Sequence, residues 1–375
     1  MKIEAKSILS SKDSRGNTIH TLLVTYPRII HSEIMTHRLF SRNSASSRAI
    51  PFEKMVESVE QNPFIPIAWQ KDHKGMQGNE YFENENEINY IKEQWLKARD
   101  SAVNRANLLS NADVTKQLCN RLLEPFMWHT VLITSTEWEN FFELRCPRYK
   151  IPKSKTFKEQ VFKSRKDVKK ELQSDGGYIN TLKLLQTFSE IDWLKSNEGQ
   201  AEIHMMALAE AMYDCINEAK VQELKNGQWH IPFIENLNNT TLTDFVIEHS
   251  LLDNQDEVLL KTKIKIATAR CARISYTTVG DNKESSIESD LKLHDRLMKS
   301  GHWSPFEHIA QSMSELEYYS FVKGEISTVI EDLGDIVNCE VYATGNYSDE
   351  DEKRYGWCNN FKGFIQYRYQ LENKK

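Results

Sequence analysis

The chain has 375 residues and carries 48 Lys and Arg against 54 Asp and Glu, which gives a formal net charge of −6. This acidic balance argues against a protein built to neutralise nucleic-acid phosphates, and the length allows two or three domains of ~150 residues. With only 14 glycines, neither G-x-G-x-x-G nor G-x-x-x-x-G-K-S/T occurs, so the common glycine-rich phosphate loops are excluded. A nucleotide-binding protein with this sequence must hold phosphate with other groups.

The six cysteines include no C-x-x-C pair. They are too sparse for a disulfide scaffold in a chain of this length, and they indicate a reducing compartment. The first residues lack the apolar run of a signal peptide, and no run of about 18 apolar residues occurs anywhere. We therefore expect a cytoplasmic globular protein that has no membrane-spanning segment.

In chain order, the first clear element is a strand predicted over 18–26, where apolar and β-branched residues are dense. Apolar residues at helical spacing predict a helix over 28–40, which a polar loop over 41–48 and a second helix over 53–60 follow. Residues 61–80 contain two prolines and two glycines, so they are predicted to be irregular.

Much of the remaining chain has a helical pattern. Helices are predicted over 85–125, 138–144, 200–220, 264–275 and 288–300, the last ended by Gly301 as a C-terminal cap. A strand is predicted over 310–322, an acidic mobile loop over 345–354, and a packed strand or helix in the aromatic segment 355–370. The stretch 147–198 is dense in Lys and Arg, which predicts an inserted, mostly helical and solvated module.

A run of polar side chains covers the end of the first predicted helix and the loop that follows it. The segment His37–Arg48 contains three arginines, four serines, one histidine and one asparagine. Serine hydroxyls, backbone N–H groups and guanidinium forks are the groups that phosphate oxygens prefer. A solvated serine-rich loop is the alternative, and composition alone favours it.

A second block, His302–His308, has the sequence His-Trp-Ser-Pro-Phe-Glu-His. Pro305 suits the first turn of a helix, with Ser304 as the N-cap. Two histidines and a glutamate so close together suggest a metal, but the spacing is not H-E-x-x-H and no further ligand set is obvious nearby. A capped helix start is therefore the preferred interpretation, and no metal is expected.

Three further segments look like ordinary amphipathic helices: Arg121–Pro125, Trp138–Arg145 and Gln200–Ile203. An arginine such as Arg145 on a helix of this kind is usually a surface ion-pair former.

Together, however, these blocks resemble the flavin-dependent thymidylate synthases, the ThyX family. The family signature H-R-x-x-S-x-N-x-x-S-x-R is matched by His37, Arg38, Ser41, Asn43, Ser46 and Arg48. The segment His302–His308 resembles the family block H-x-S/T-P-F-E-H, and Ala269–Ser275 resembles the segment before that block. The helix Asn140–Arg145 and the following Gln-Ala-Glu-Ile resemble the substrate-binding helix region.

The order of the blocks differs from the family, in which the H-x-S/T-P-F-E-H block precedes the signature. Here it follows the signature by roughly 260 residues, so the chain resembles a circularly permuted family member. Glu33, Thr36 and Ser44 stand where the family usually has glutamine, arginine and glutamate. These departures bear on the substrate more than on flavin binding.

The resemblance implies an α+β fold with a central antiparallel sheet flanked by helices. Residues 1–146 and 199–375 would form one catalytic unit, interrupted by the inserted helical module 147–198. The implied reaction makes dTMP from dUMP with methylenetetrahydrofolate as carbon donor, FAD as hydride carrier and NADPH as reductant. The implied assembly is a homotetramer whose active sites combine several subunits.

The resemblance also implies roles for single residues. Arg145 would lie beside the uracil and stabilise negative charge on it, and His302 would lie against the isoalloxazine ring. The other substrate-binding residues would be Ser46, Ser47, Arg48 and Arg121. The cofactor-binding residues would be His37, Arg38, Asn43, Asn140, Ser275, His302, Ser304 and Glu307.

Two alternatives stay open at this point. The same fold could act on dCMP, or could transfer the carbon unit as hydroxymethyl rather than methyl. A protein of another class, a non-catalytic nucleotide or nucleic-acid binder that uses 147–198 as its contact, is disfavoured by the net charge.

Overall fold

The computed structural model of the chain describes residues 3–74, 78, 80–152, 159–174, 188–235, 237, 242–245, 247, 255–276, 285–321 and 353–373. Among these residues, no helix combines the length and the apolar character that crossing a membrane requires. The predicted acidic loop lies mostly outside the described residues, since 345–352 are not among them.

The central sheet has five strands. They are β1 (Glu4–Lys12), β2 (Thr18–Pro27), β3 (Ser41–Ser44), β4 (Trp128–Ser135) and β7 (Val221–Glu223). Their order is β3-β4-β2-β1-β7, and every pair is antiparallel except β1 and β7, which run parallel. The expected antiparallel sheet is therefore right for four strands and wrong for the edge strand β7.

Within the described ranges, smaller strands form three further sheets. They are β5 (Tyr149–Pro152), β6 (Glu159–Phe162), β8 (Trp229–His230), β9 (Ala310–Ser312), β10 (Trp357–Cys358), β11 (Phe361–Lys362) and β12 (Phe364–Gln366). The pairs are β5 with β6 and β10 with β11, while β9 lies between β12 and β8. The C-terminal aromatic segment is thus packed, as predicted, because β12 pairs with β9.

The helices of the described residues are numbered in chain order. They are α1 (His31–Ile34), α2 (Phe52–Gln61), α3 (Glu85–Asn111), α4 (Lys116–Cys119), α5 (Glu139–Arg145), α6 (Arg165–Ser174), α7 (Glu190–Lys195), α8 (Ile203–Asn217), α9 (Gln255–Arg273), α10 (Ile287–Ser300), α11 (Glu315–Ser320) and α12 (Tyr367–Glu372). The predictions for α2, α5, α8, α9 and α10 are confirmed. Gly301 ends α10 with a φ of 70°, the left-handed conformation that glycine adopts at low cost.

The core lies on both faces of the sheet, because successive strand residues point to opposite sides. Val131 and Ile133 of β4 face α8 and α5, where Met205, Leu208 and Phe141 are buried. Leu132, between them, faces α9 and packs against Ile264, Ala267 and Cys271. Helices therefore cover the two faces of the sheet, and β3 is one of its edge strands.

The helix predicted over 28–40 is much shorter in the structure. A 3-10 turn covers Arg28–Ile30, α1 ends at Ile34, and β3 begins at Ser41. The polar loop predicted over 41–48 is likewise a strand in its first half, because Ser41–Ser44 pair with β4. Backbone pairing with a neighbouring strand has overridden a local pattern here.

Two other predictions need correction. The strand over 310–322 ends at Ser312, because Ser314 and Glu317 form a capping box that starts α11. The helix over 85–125 is broken between Asn111 and Lys116, with Asp113 at a φ of 59°.

The segment 147–198 contains the hairpin β5–β6 as well as the helices α6 and α7. It is attached to α8 through the buried carboxylate of Glu210, which accepts from Tyr149 Oη at 3.2 Å and Arg165 Nε at 2.9 Å.

Candidate functional site

Asn43 joins three blocks that are far apart in the sequence. Its Oδ1 lies 3.2 Å from Ser275 Oγ and 3.2 Å from Ser304 Oγ, both of which can donate to it. Its Nδ2 donates to the Cys271 carbonyl at 2.6 Å, and Asn43 itself is buried. The signature, the end of α9 and the start of the His302–His308 block therefore meet at one amide side chain.

Ser304 occupies a different place from the one predicted. It is the first residue of a 3-10 turn over Ser304–His308, so it is not an N-cap, although Pro305 does lie in the first turn. Its hydroxyl instead points to β3, 3.1 Å from the Arg42 carbonyl and 3.2 Å from Asn43 Oδ1. This contact fixes the turn against the edge strand.

Glu307 lies on the same turn, pairs with Arg368 and interacts electrostatically with Arg42. Its Oε1 accepts from Arg368 Nη1 at 2.6 Å. Arg42 lies near enough for Glu307 to favour its charged form, while burial lowers the pKa of the Arg42 guanidinium. The turn therefore presents one carboxylate among half-buried cations.

Arg145 is held by two groups. Its Nε donates to His37 Nε2 at 3.3 Å, and its Nη1 lies 3.5 Å from Glu33 Oε2. Burial lowers the pKa of His37 to about 4, and the charges of Arg145 and Arg42 act in the same direction. Because the imidazole is neutral at pH 7, its Nε2 can accept, and the proton belongs on Nδ1.

The two partners of Arg145 differ in their expected roles. His37, which the resemblance implies as a flavin contact, accepts from Arg145 and packs edge-on against Phe141 with 4.8 Å between ring centroids. Burial raises the pKa of the Glu33 carboxyl, and Arg145 opposes that shift. Glu33 therefore gives the site a carboxylate where the family usually has an amide.

The serine-rich end of the signature forms a fixed turn. Arg48 N donates to Ser46 Oγ at 3.3 Å, and Asn120 Nδ2 donates to the Ser47 carbonyl at 2.8 Å. Arg121 follows Asn120 directly, so the segment that carries it lies against this turn. The side chains of Arg48 and Arg121 are both exposed.

Three candidate residues lie apart from these contacts. The side chains of Arg38, Asn140 and His302 are exposed. Within the described part of the chain, none of them hydrogen-bonds to another candidate residue. His302 Nδ1 contacts the hydroxyl of Ser300 at 2.8 Å.

The C-terminal segment supplies contacts that the sequence did not reveal. Asn360 Nδ2 donates to the Leu39 carbonyl at 2.9 Å and lies 3.1 Å from Ser41 Oγ. Gln366 Nε2 lies 3.4 Å from the same hydroxyl. High aromatic content was the only sequence signal in this segment, and it indicates packing rather than a site.

His302 and His308 cannot share a metal in this arrangement. His308 is fully buried and its Nδ1 lies 2.8 Å from Thr134 Oγ1, whereas His302 is exposed. Within the described ranges, no three His, Cys, Asp or Glu side chains are grouped to hold a metal ion.

A buried hydrogen-bond chain continues inward from His308. It links Thr134 Oγ1 to Thr21 Oγ1 at 2.7 Å, Thr21 to His230 Nε2 at 2.8 Å, and His230 Nδ1 to Ser11 Oγ at 2.7 Å. Burial lowers the pKa of both His230 and His308 to about 3. Both rings are therefore neutral. Through these hydrogen bonds, His308 links its 3-10 turn to β4, and His230 links β8 to β2 and β1.

Comparisons with known proteins give distant similarity only. No protein-family model matches the chain, and no curated protein matches it. One similar solved structure is a UMP/dUMP methylase, PolB from Streptomyces cacaoi, bound with 5-Br dUMP; it has 12% identity and a TM-score of 0.37, over 58% of this chain and 90% of that chain. The 5-Br UMP complex of the same methylase has 14% identity and a TM-score of 0.31, over 41% and 80%.

Proposed function

We propose that the protein is a flavin-dependent thymidylate synthase-like enzyme that methylates dUMP at C5 reductively to give dTMP. The observation that carries this proposal is the meeting of Asn43, Ser275 and Ser304 within hydrogen-bonding distance. These residues come from three blocks that resemble one family in separate parts of the sequence. Convergence of all three at one point is unexpected for a chance resemblance.

The cofactor-site residues have the chemistry that a flavin dinucleotide requires. Hydroxyl donors, guanidinium groups and one carboxylate suit phosphates, ribose hydroxyls and ring nitrogens. Ser275, Ser304, Glu307 and Arg42 would hold the group. When bound and reduced by NADPH, it supplies hydride transfer, and methylenetetrahydrofolate is the carbon donor.

The residues around Arg145 would act on the pyrimidine. Uracil C5 is a weak nucleophile, and negative charge on the ring must be stabilised as its reactivity rises. Arg145 is held in place before substrate binds, by His37 and Glu33, so it can provide that stabilisation without reorganising. Cys146 beside it is buried and its pKa is raised, which argues against a thiolate nucleophile here.

The exposed candidates also fit the proposed assembly. Arg38, Asn140 and His302 meet no other candidate residue within the described part of one chain. A homotetramer in which a second copy completes each site would give them partners. Sedimentation of the purified protein tests this, and a monomer with full activity would contradict it.

Purification and product analysis test the function. The protein should be yellow, should release FAD on denaturation, and should convert dUMP to dTMP with methylenetetrahydrofolate and NADPH. Mass spectrometry of the product distinguishes methyl from hydroxymethyl and dUMP from dCMP, the alternatives that Glu33 keeps open. A colourless protein with no FAD affinity would favour a non-catalytic nucleotide-binding protein.

Replacing Arg48 by alanine should raise the KM for dUMP by about 10- to 100-fold, since a charge-assisted contact to phosphate is lost. Steady-state kinetics measure this change. Arg105→Ala on α3, also an exposed arginine, is the matched control and should leave the KM unchanged. An unchanged KM in Arg48→Ala would remove Arg48 from the phosphate site.

A further inference from the structure

The C-terminal segment reaches the proposed cofactor site from the far end of the chain. Its strand β12 pairs with β9, and Tyr367 N donates to the Ile309 carbonyl at 2.9 Å. The Tyr367 ring also stacks on Phe306 with 5.7 Å between ring centroids. These contacts bring the start of α12 directly against the 3-10 turn that carries Ser304 and Glu307.

Arg368, the next residue, is the polar part of this contact. Its Nη1 donates to Glu307 Oε1 at 2.6 Å, and its Nε donates to Glu372 Oε1 at 3.1 Å. Glu372 lies one helical turn further along α12, so it steadies the guanidinium from its own helix. The guanidinium of Arg368 is therefore held through two of its nitrogen atoms, Nη1 and Nε, a geometry that a lysine with its single nitrogen could not reproduce.

The second carboxylate oxygen of Glu307 has a different environment. No hydrogen bond joins Oε2 to another residue in the described ranges, and 21% of the side chain is exposed. Since Oε1 is occupied by Arg368, the carboxylate cannot rotate freely. Oε2 is therefore the oxygen of this partly exposed side chain that is left to accept from a ligand.

We propose that Arg368 is a positioning residue of the cofactor site. It fixes Glu307 through Oε1, so that Oε2 accepts from a hydroxyl or amino group of a flavin nucleotide. This inference rests on the proposed function, because it takes the flavin as the ligand of Glu307. It makes the C-terminal segment part of the site, although the motifs of the resemblance lie elsewhere in the chain.

The test is FAD titration of the apoprotein, followed by flavin fluorescence, together with thermal unfolding in the absence of FAD. Arg368→Ala should weaken FAD binding about tenfold, and Arg368→Lys should fall between that variant and the wild type. Arg105→Ala removes an exposed arginine with no partner in the described chain and should leave the affinity unchanged. The unfolding temperature shows whether a variant acts through the fold instead.

A double-mutant cycle with Glu307→Gln separates positioning from a general structural effect. If Arg368 acts through Glu307, the double variant should bind FAD no more weakly than the weaker single variant. Additive losses, or unchanged binding by Arg368→Ala, would overturn the inference and leave the proposed function intact. A wild-type protein that binds no FAD would overturn both. Should Arg368→Ala fail to fold, the cycle is run with Arg368→Lys and judged by the same criterion.

Discussion

Replacement of Arg145 by alanine is expected to abolish turnover, with a fall of about a thousandfold in kcat, while flavin stays bound. The reason is that Arg145 is the cation fixed beside the proposed pyrimidine site by His37 and Glu33. The proposed cofactor-binding residues Asn43, Ser275 and Ser304 contact one another and make no hydrogen bond to Arg145 in the described residues. Single-turnover kinetics and the visible absorption of bound flavin measure the two quantities separately.

The control for this variant is Arg105→Ala, which removes the same charge from an exposed position on α3. Loss of flavin from Arg145→Ala, or retention of full activity, would contradict the assigned role. A second readout comes from His37, whose pKa of about 4 is lowered in part by Arg145. Removing the guanidinium should raise the pKa of His37, and histidine NMR titration would detect that rise.

The second large effect concerns stability in acid. Three of the buried histidines, His20, His230 and His308, have pKa values that burial lowers to about 4, 3 and 3, against an ordinary value of 6.5. The unfolded chain therefore binds more protons than the native one between pH 6.5 and pH 4. Stability rises with pH wherever this holds, so it is full above pH 6.5 and is lost as the pH falls.

The size of this loss follows from the number of protons taken up. Each histidine that is protonated only on unfolding contributes about 1.4 kcal/mol per pH unit, so these three alone approach about 4 kcal/mol per pH unit, and the lowered pKa values of His31, His37, His129 and His294 add to the slope. Urea unfolding at a series of pH values measures the slope. His230→Asn should make the curve shallower even if it lowers stability throughout, whereas the exposed Arg105→Ala, which removes no histidine, should not change the slope. A flat free energy of unfolding down to pH 4 would contradict the prediction.

The sequence predicted most elements that have a strong hydrophobic periodicity, but it mispredicted elements whose structure depends on pairing with a distant strand. Helices α8 and α10 and strand β2 are apparent from apolar spacing and a glycine cap. Strand β3 was missed because four polar residues have no strand pattern of their own; they are extended because β4 offers them partners. Local patterns carry no information about such partners.

The residues of the candidate site were likewise predicted only in part. The resemblance named Asn43, Ser275 and Ser304, and the structure brings them together. Asn120 and Arg368 were missed because their importance depends on which backbone carbonyl or carboxylate they meet after folding. Single amides and arginines outside a motif give no signal until the chain that faces them is known.

The distance in sequence between Asn43 and its partners has a consequence during synthesis. Asn43 leaves the ribosome long before Cys271, its backbone acceptor, and at usual elongation rates the interval is roughly ten to fifty seconds. During that time β4 is synthesised and can pair with β3, but the side chains that will be buried at their edge remain exposed to water. The amino-terminal half must therefore stay soluble as an unfinished sheet, and the site forms only when the last part of the chain arrives.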